Sequence, residues 1–459
     1  MRSWLIVLLL QVLVLSCGSD EARTTDRPPL GWSSWYGLGK EDGWPQTDER
    51  TIKEIALAMV ATGLRDAGYT ILHVDDSWQS TTREAGKGLQ ADKEKFPNGM
   101  KAVANFLHAR NLTLGLYTTP GRFSCAGEAG SGQLGSYGFM QEDIDLWIGE
   151  WGVGYLKNCI CNTTISMRRT AYADMRKAID RALTRRSERK DSVIYECSNF
   201  MDAPWRNGQH EYCNVWRVSN DVPDNFDGWN RAVDEVMKND VNRVAGLGGN
   251  YGGRWSSFDF LQIGSMGQTL SEYRAQMSLW SILAAPIFIG ADVRKISKEA
   301  LDIYTNPEVL AVSQDPAGIP GYRIARDLKS DVDLWIRPLS ERVTGKEDSK
   351  LHHQRAALLV LNRSKKKRRM LVKWSEVAKG KGMRSWRQRS RNSVVLVRDV
   401  WKKQDVGRYA DGVEIEVDAH AGVMLVLQVE MKETSHPFVG LTMQEILCNT
   451  FEDQRLNLQ

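Results

Sequence analysis

From Pro29 to about Ile289, short apolar runs alternate with amphipathic stretches. Asp48 to Leu64 carries apolar side chains at Ile52, Ile55, Met59 and Val60, the three-and-four spacing of a helix with one buried face. Tyr69 to Val74 is a brief apolar run that stops at Asp75-Asp76, as a buried strand does. The pairing then repeats: a helix over Met100 to Ala109 precedes a strand over Leu112 to Tyr117, and a helix over Gln141 to Trp151 precedes a strand over Gly154 to Lys157. Ser192 to Cys197 and Cys213 to Arg217 continue the strands, and a helix over Gln276 to Ala285 leads into Pro286 to Ile289. Strands separated by helices predict a parallel sheet, because each helix returns the chain to the edge where the previous strand began.

The residues after the strands separate an open sheet from a closed barrel. Trp32 and Trp35, Asp75 and Asp76, Tyr117, Lys157, Arg217, Asp221 and Asp259 all fall at or just beyond strand ends. A barrel gathers those ends around one mouth, where such folds carry out chemistry. No glycine-rich phosphate loop follows the first strand, which argues against a dinucleotide-binding sheet. The predicted fold is α/β, a (β/α)8 TIM barrel over residues 23–322.

After Arg323 the period shortens. Asp331 to Arg337, Ala356 to Asn362, Met370 to Trp374, Ser393 to Val400, Val413 to Val417 and Val423 to Val429 read as strands separated by turns and charge runs. They predict a C-terminal all-β unit over residues 323–432. The basic run Lys365 to Arg369 fits a solvated hairpin turn. Residues 433–459 form a tail with a weak helical pattern and no assigned role.

Composition adds four things. A chain of 459 residues exceeds one barrel of about 250 residues, so a second domain is required. Lys and Arg total 61 against 57 Asp and Glu, a net charge of +4, and this balance predicts no nucleic-acid partner. Sixteen tryptophans suit stacking on pyranose faces, although core filling accounts for most of them. The N-terminus reads as a signal peptide over residues 1–22: Arg2, an apolar run from Trp4 to Leu15 broken only by Gln11, then Ser16-Cys17-Gly18. A lipidated Cys17 is the alternative, which Leu15 fits poorly. The run is too short to span a membrane comfortably.

Sequons at Asn111, Asn162 and Asn362 suggest glycosylation on a secretory route, secreted or lysosomal. Six of seven cysteines follow the signal, namely Cys125, Cys159, Cys161, Cys197, Cys213 and Cys448, and most should be paired in an exported protein. No CxxC pair or histidine cluster points to a metal, and no cofactor is expected.

Several segments occur in a telling order: Pro29-Leu-Gly-Trp-Ser-Ser-Trp35, His73-Val-Asp-Asp-Ser-Trp78, Phe96-Pro-Asn-Gly-Met100, Gly115-Leu-Tyr117 and Cys125-Ala-Gly127. They continue with Trp151-Gly-Val-Gly-Tyr-Leu-Lys157, Cys213-Asn-Val-Trp-Arg217, Ala284-Ala-Pro286 and Ser313-Gln-Asp-Pro316. In these the chain resembles glycoside hydrolase family 27, the α-galactosidase and α-N-acetylgalactosaminidase family, from about Pro29 to Val429. The resemblance implies a (β/α)8 barrel followed by an antiparallel β-sandwich. The implied partner is a terminal α-galactose or α-N-acetylgalactosamine glycoconjugate. Family members are often dimers, so a homodimer is a further expectation.

The resemblance also distributes roles. Asp75 and Asp76 match a carboxylate pair that accepts sugar hydroxyls, with N-capping of the next helix as the competing role for one of them. Trp32 and Trp35 wall the pocket. Lys157 and Arg217 donate to hydroxyls and orient the carboxylates. Tyr117 faces the sugar or fills the core. Asp221, four residues after Arg217, is the general acid/base. The seventh-strand loop keeps only Asp259 of its usual acidic pair. In Ser198-Asn-Phe-Met201, Ser198 leaves room for an acetamido group, whereas Met201 has the bulk of the galactose type. The resemblance pairs Cys197 with Cys213, and Cys125 with Cys161 or Cys159.

A retaining glycosidase needs a second carboxylate as nucleophile, roughly 5 Å from the acid/base. The family pattern is Lys-x-Asp followed by a cysteine, and here the segment is Lys157-Asn-Cys-Ile-Cys161. One register puts Cys159 where the aspartate stands; another deletes two residues and loses it. Neither supplies an Asp or Glu between Trp151 and Asp174. Three readings follow: a galactoside-binding pseudoenzyme, an active α-galactosidase with an error in the sequence at this point, or attack by the Cys159 thiolate itself.

Overall fold

The computed structural model describes residues 26–430 except 39, 42–43, 46, 190–191, 199–205, 207, 239–240, 250–251, 345–350, 381–382, 384–385 and 387–393. The expected signal peptide, Cys17, Met201, Cys448 and the tail over 433–459 lie outside the described residues. Among the described residues no helix is long and apolar enough to cross a membrane.

Eight parallel strands build the first domain: β1 (Leu30–Ser33), β2 (Ile71–Val74), β3 (Thr113–Thr118), β4 (Tyr155–Cys159), β5 (Ile194–Ser198), β6 (Val215–Arg217), β7 (Gly252–Ser257) and β8 (Ile287–Ile289). They pair in chain order, and β1 also pairs with β8 through Leu30 and Ile287. The circle closes just beyond β7, where Leu261 bridges Ile289 in parallel and exchanges backbone hydrogen bonds with Phe288 and Gly290. Gly31 lies beside this closure. A Cβ there would stand 2.6 Å from the Ile71 carbonyl oxygen and 2.7 Å from the Phe288 ring, so only glycine lets these strands approach.

Alternation along the strands fixes what faces where. Ile71, Tyr155, Ile194, Val215, Trp255 and Phe288 point inward and fill the lumen with Phe260. Leu72, Val74, Leu114, Leu116, Leu156 and Tyr195 point outward against the helices. Those helices are α1 (Glu49–Ala61), α2 (Met100–His108), α3 (Met140–Ile144, wound on through Glu150), α4 (Ile165–Arg185), α5 (Phe226–Met237), α6 (Leu270–Ile282), α7 (Lys298–Tyr304) and α8 (Pro307–Ser313). Their starts are written locally. Asp48 accepts the Thr51 N–H at α1, and Thr269 and Glu272 close a reciprocal capping box at α6.

The second domain begins with β9 (Tyr322–Asp327). β10 (Val332–Thr344), β11 (Leu351–Asn362), β13 (Val394–Asp399), β14 (Gln404–Tyr409) and β16 (Ala421–Glu430) join it in one antiparallel sheet, ordered β9-β10-β11-β16-β13-β14. β12 (Arg368–Lys373) and β15 (Gly412–Val417) form a separate pair. Leu358 and Val360 face the core between the two sheets. Ala357, Leu359 and Leu361, on the opposite face of the same strand, pack against the barrel. Burial on both faces explains the unbroken apolar run from Ala356 to Leu361.

Arg337 on β10 crosses the domain junction fully buried, donating to the carbonyls of Ser281, Ser313 and Ile319. The basic run Lys365–Arg369 leads from the large sheet into β12, and Lys367 and Arg369 pair with Glu416 across the β12–β15 pair.

One expected glycosylation site is corrected. Asn362 is fully buried, and its amide nitrogen donates to the carbonyls of Lys366, Val417 and Asp418, which leaves no room for a glycan. Asn111 is exposed at the turn after α2, and Asn162 is half-buried.

Candidate active site

At the C-terminal rim the inward-facing side chains change from apolar to charged. β4 presents Tyr155 to the lumen core, Lys157 one layer higher and Cys159 at the rim, two residues apart each time. The neighbouring strand β5 presents Ile194, Glu196 and Ser198 in register with them. A pocket of about 290 Å³ opens over this layer, and its lining includes Trp35, Asp75, Asp76, Tyr117, Lys157, Cys159, Ser198, Arg217 and Asp221.

One side of the pocket rests on a buried ion pair. Lys157 Nζ donates to Asp75 Oδ2 at 2.7 Å. Burial alone would push both groups toward neutrality. Lys157 instead holds the Asp75 carboxyl below the usual carboxylate range, and Asp75, Cys159 and Glu196 together outweigh burial and raise the Lys157 ammonium. Lys157 also sits over the rings of Phe260, Tyr117 and Trp35 at 5.1, 5.7 and 5.8 Å. Beneath Asp75, burial pushes the His73 imidazole down to about 3, so it is neutral; its Nδ1 lies 3.1 Å from Ser33 Oγ.

Asp75 and Asp76 also shape the turn that leaves β2. Asp75 Oδ1 accepts the Asp76 N–H, Asp76 Oδ1 accepts the Ser77 N–H, and Asp76 Oδ2 accepts the Ala126 N–H. Neither carboxylate caps a helix, since α2 begins only at Met100. Burial pushes Asp76 above the usual carboxylate range, against the pull of the N–H groups it accepts. A carboxylate has about four lone-pair directions, so both residues keep acceptor capacity toward the pocket.

The facing side is built on Asp259. It takes Arg217 Nη1 at 3.0 Å on Oδ1, and both the Tyr36 hydroxyl and the Val222 N–H at 2.7 Å on Oδ2. This braces the loop that carries Asp221. Asp221 Oδ1 accepts Arg217 Nη2 at 3.1 Å and Oδ2 accepts Trp35 Nε1 at 2.9 Å. Its side chain is 55% exposed and lines the pocket, so it is open to solvent at the mouth.

Both disulfides are formed: Cys125 bonds Cys161, and Cys197 bonds Cys213. Of the two partners open to Cys125, Cys161 is the one used, and Cys159 is a free thiol. Its S–H donates to the Ser198 carbonyl at 3.4 Å, and burial raises the thiol, partly offset by Lys157. The Tyr117 hydroxyl donates to Cys125 Sγ at 2.8 Å. Among the described residues the one compact group of metal-type ligands is Cys125, Cys159 and Cys161, and the disulfide between two of them leaves no metal cage.

Trp32 requires a correction. It was expected to wall the pocket, yet it is fully buried in the helix-side core with Nε1 donating to the Ala291 carbonyl at 2.8 Å. Ser33 faces inward, so its neighbour Trp32 faces outward. Two site residues went unread in the sequence. Tyr36 reaches Asp259. Glu196 is buried beside Lys157 and accepts the Tyr155 hydroxyl. The every-second-residue pattern Ile194, Glu196, Ser198 is the signal that would have found Glu196.

A closed eight-stranded barrel whose rim joins several carboxylates to a lysine, an arginine and a tryptophan has the layout of a barrel enzyme's mouth, and likeness to known proteins puts it in the glycoside hydrolase class. Residues 27–315 match the family model described as "Alpha galactosidase A", and residues 329–427 match "Alpha galactosidase C-terminal beta sandwich domain". Over 403 residues the chain is 30% identical to an α-galactosidase of Cyamopsis tetragonoloba, covering 87% of this chain and 86% of that protein. It is 32% identical over 333 residues to an α-N-acetylgalactosaminidase of Gallus gallus, covering 68% and 76%. The solved structure of α-galactosidase I from Mortierella vinacea superposes with a TM-score of 0.73 at 27% identity, covering 88% of this chain and 97% of that one. The chain belongs to glycoside hydrolase family 27, the α-galactosidase family.

Proposed function

We propose that the barrel mouth receives a terminal α-galactosyl or α-N-acetylgalactosaminyl group and that the chain does not hydrolyse it at an enzyme's normal rate. Asp75 and Asp76 accept sugar hydroxyls, Lys157 and Arg217 donate, and Trp35 offers an aromatic wall. Asp221 is the group that would protonate the departing glycosidic oxygen. The retaining route also needs an anionic nucleophile at the anomeric carbon, on the opposite face of the ring from the acid. The observation that carries the proposal is the thiol of Cys159 at the β4 rim, two residues beyond Lys157, where no carboxylate stands. A thiol raised by burial is mostly protonated at neutral pH, and the protonated sulfur is a poor nucleophile.

Small Ser198 at the pocket wall favours tolerance of an acetamido group. The apolar run over Trp4 to Leu15 and the two disulfides support an exported protein, secreted or lysosomal.

The test pairs calorimetry using galactose and N-acetylgalactosamine with hydrolysis of a chromogenic α-galactoside and α-N-acetylgalactosaminide. Binding heat without product release above an Asp221→Asn control is expected. Release clearly above that control overturns the non-hydrolytic reading. Sugar binding that survives Asp75→Ala removes the barrel mouth as the receptor.

A further inference from the structure

Three sulfur atoms share one corner of the pocket. Cys125 and Cys161 are joined in a disulfide, Cys159 is free, and the three Sγ atoms all lie within 4.8 Å of one another. Cys125 and Cys159 both line the pocket, so the cluster opens to its mouth. Cys159 and Cys161 are two residues apart at the end of one strand, and both sulfurs reach toward Cys125.

We propose that these three cysteines form a thiol–disulfide exchange site, in which Cys159 displaces Cys161 from its bond to Cys125. The step balances within the chain. The Cys159 thiolate attacks Cys125 Sγ, a Cys125–Cys159 bond forms, and the Cys125–Cys161 bond breaks. The electron pair leaves on Cys161 Sγ, which takes up the proton that Cys159 gave. One disulfide and one thiol are present before and after, so no outside oxidant or reductant is consumed.

The surroundings suit such an exchange. Thr119 Oγ1 holds the backbone of Cys161, donating to its carbonyl at 2.9 Å and accepting its N–H at 3.2 Å, so the side chain can turn while the main chain stays. The charged groups that face Cys159 are Lys157 on its own strand, Asp75 on the loop after β2 and Arg217 on β6; Asp76 and Asp221 complete the charged lining. Lys157 and Arg217 favour the thiolate, while burial and Asp75 oppose it. The thiolate fraction is therefore small at neutral pH and grows as pH rises.

The exchange also touches the sugar site. The Tyr117 hydroxyl donates to Cys125 Sγ and lines the same pocket, so a change of partner at Cys125 moves the acceptor of a pocket tyrosine. The proposal itself does not depend on whether the pocket binds or cleaves a sugar.

The test maps thiols in the full, oxidised chain. The protein is held for increasing times in mildly acidic and mildly alkaline buffer. It is then denatured in acid with N-ethylmaleimide and digested without reduction, and fragment-ion spectra assign each adduct and each disulfide. Adducts on Cys17 and Cys448 are counted apart. The expected result is adduct on both Cys159 and Cys161, with Cys125–Cys161 and Cys125–Cys159 disulfides coexisting. The approach to that mixture should quicken about tenfold per pH unit below the thiol's pKa, following the thiolate fraction. Adduct confined to Cys159, with Cys125–Cys161 alone at every pH and time, overturns the proposal. Cys161→Ser gives a second reading: a Cys125–Cys159 disulfide is expected, whereas alkylation of both Cys125 and Cys159 in oxidising buffer counts against the exchange. If that variant fails to fold, the wild-type time course still decides.

Discussion

Cys159→Asp puts a carboxylate at the β4 rim, two residues beyond Lys157, and is the sharpest perturbation available. Aspartate is one atom longer than cysteine, and a pocket of about 290 Å³ can take it without displacing a neighbour. The electrostatic cost is mixed. Lys157 and Arg217 attract the new charge, while Asp75, Asp76 and Asp221 repel it, and the S–H donation to the Ser198 carbonyl becomes an oxygen–oxygen repulsion.

Losing that hydrogen bond and burying a new acceptor costs roughly 1–3 kcal/mol of stability, which an ordinary domain survives. The rate term is far larger. Removing one member of a covalent catalytic set lowers kcat by about 10⁴- to 10⁶-fold. At about 1.36 kcal/mol per tenfold, this is on the order of 5–8 kcal/mol of transition-state stabilisation. Cys159→Asp should therefore raise kcat/KM toward a chromogenic α-galactoside at least about 10³-fold over wild type, allowing for imperfect placement. The gain should vanish in Cys159→Asp/Asp221→Asn. The assay is initial-rate hydrolysis, with circular dichroism and galactose calorimetry on the same preparations. A folded, galactose-binding Cys159→Asp protein that turns over no faster than the double variant would falsify the assignment of the defect to position 159.

Two further predictions concern the pocket floor. Lys157→Met leaves Asp75 buried without its cation, which should cost about 3–5 kcal/mol of stability at neutral pH. In wild type the depressed Asp75 pKa contributes stability that is present above the unfolded value and lost as pH falls through the folded value. Without Lys157 burial raises that pKa and reverses the sign, so the deficit should shrink in acid and largely disappear in Lys157→Met/Asp75→Asn, as urea denaturation at several pH values would reveal. The second prediction is that galactose affinity falls on acidification at Asp76 before Asp75, because burial raises the former while Lys157 lowers the latter. Protonation turns an acceptor of sugar hydroxyls into a donor, so calorimetry should record weaker binding as pH drops, and an Asp76→Asn protein that keeps the same pH profile would refute the assignment.

The barrel was legible where a strand is apolar and a helix amphipathic. Tyr69 to Val74 and Leu112 to Tyr117 declared themselves by composition, and each strand end carried its polar marker. The seventh strand did not. Gly252–Ser257 offers glycines and an arginine before Trp255, with no apolar run to count. Its pairing with β6 supplies the stability that local composition lacks. α4 was missed for the opposite reason: basic residues break up the apolar stripe, although Tyr172, Met175, Ile179 and Leu183 are all buried. β11 read correctly as a strand, but its burial on both faces came from the barrel beside it, which no window along the chain contains.

The site was legible in residue type and less so in direction. Asp75, Lys157 and Arg217 are charges at the ends of otherwise apolar strands, and a charge in that setting is expensive unless it faces a pocket or a partner. Direction follows from the two-residue period, and where that period was not applied the reading failed. Trp32 looks like a sugar platform by type, but Ser33 beside it meets His73 inside the barrel, so Trp32 must point outward. The same rule applied forward from Lys157 selects Cys159 and passes over Asn158, whose amide donates to Tyr195 Oη outside the lumen. Applied on β5 it selects Glu196 and Ser198. The thiol therefore stands on the pocket face by the same geometry that puts Lys157 there. A gap of two residues in the family pattern would instead make Cys159 the family cysteine and the expected partner of Cys125. The bond between Cys125 and Cys161 argues for the ungapped register, and in that register the position proposed for the nucleophile carries a thiol that lines the pocket.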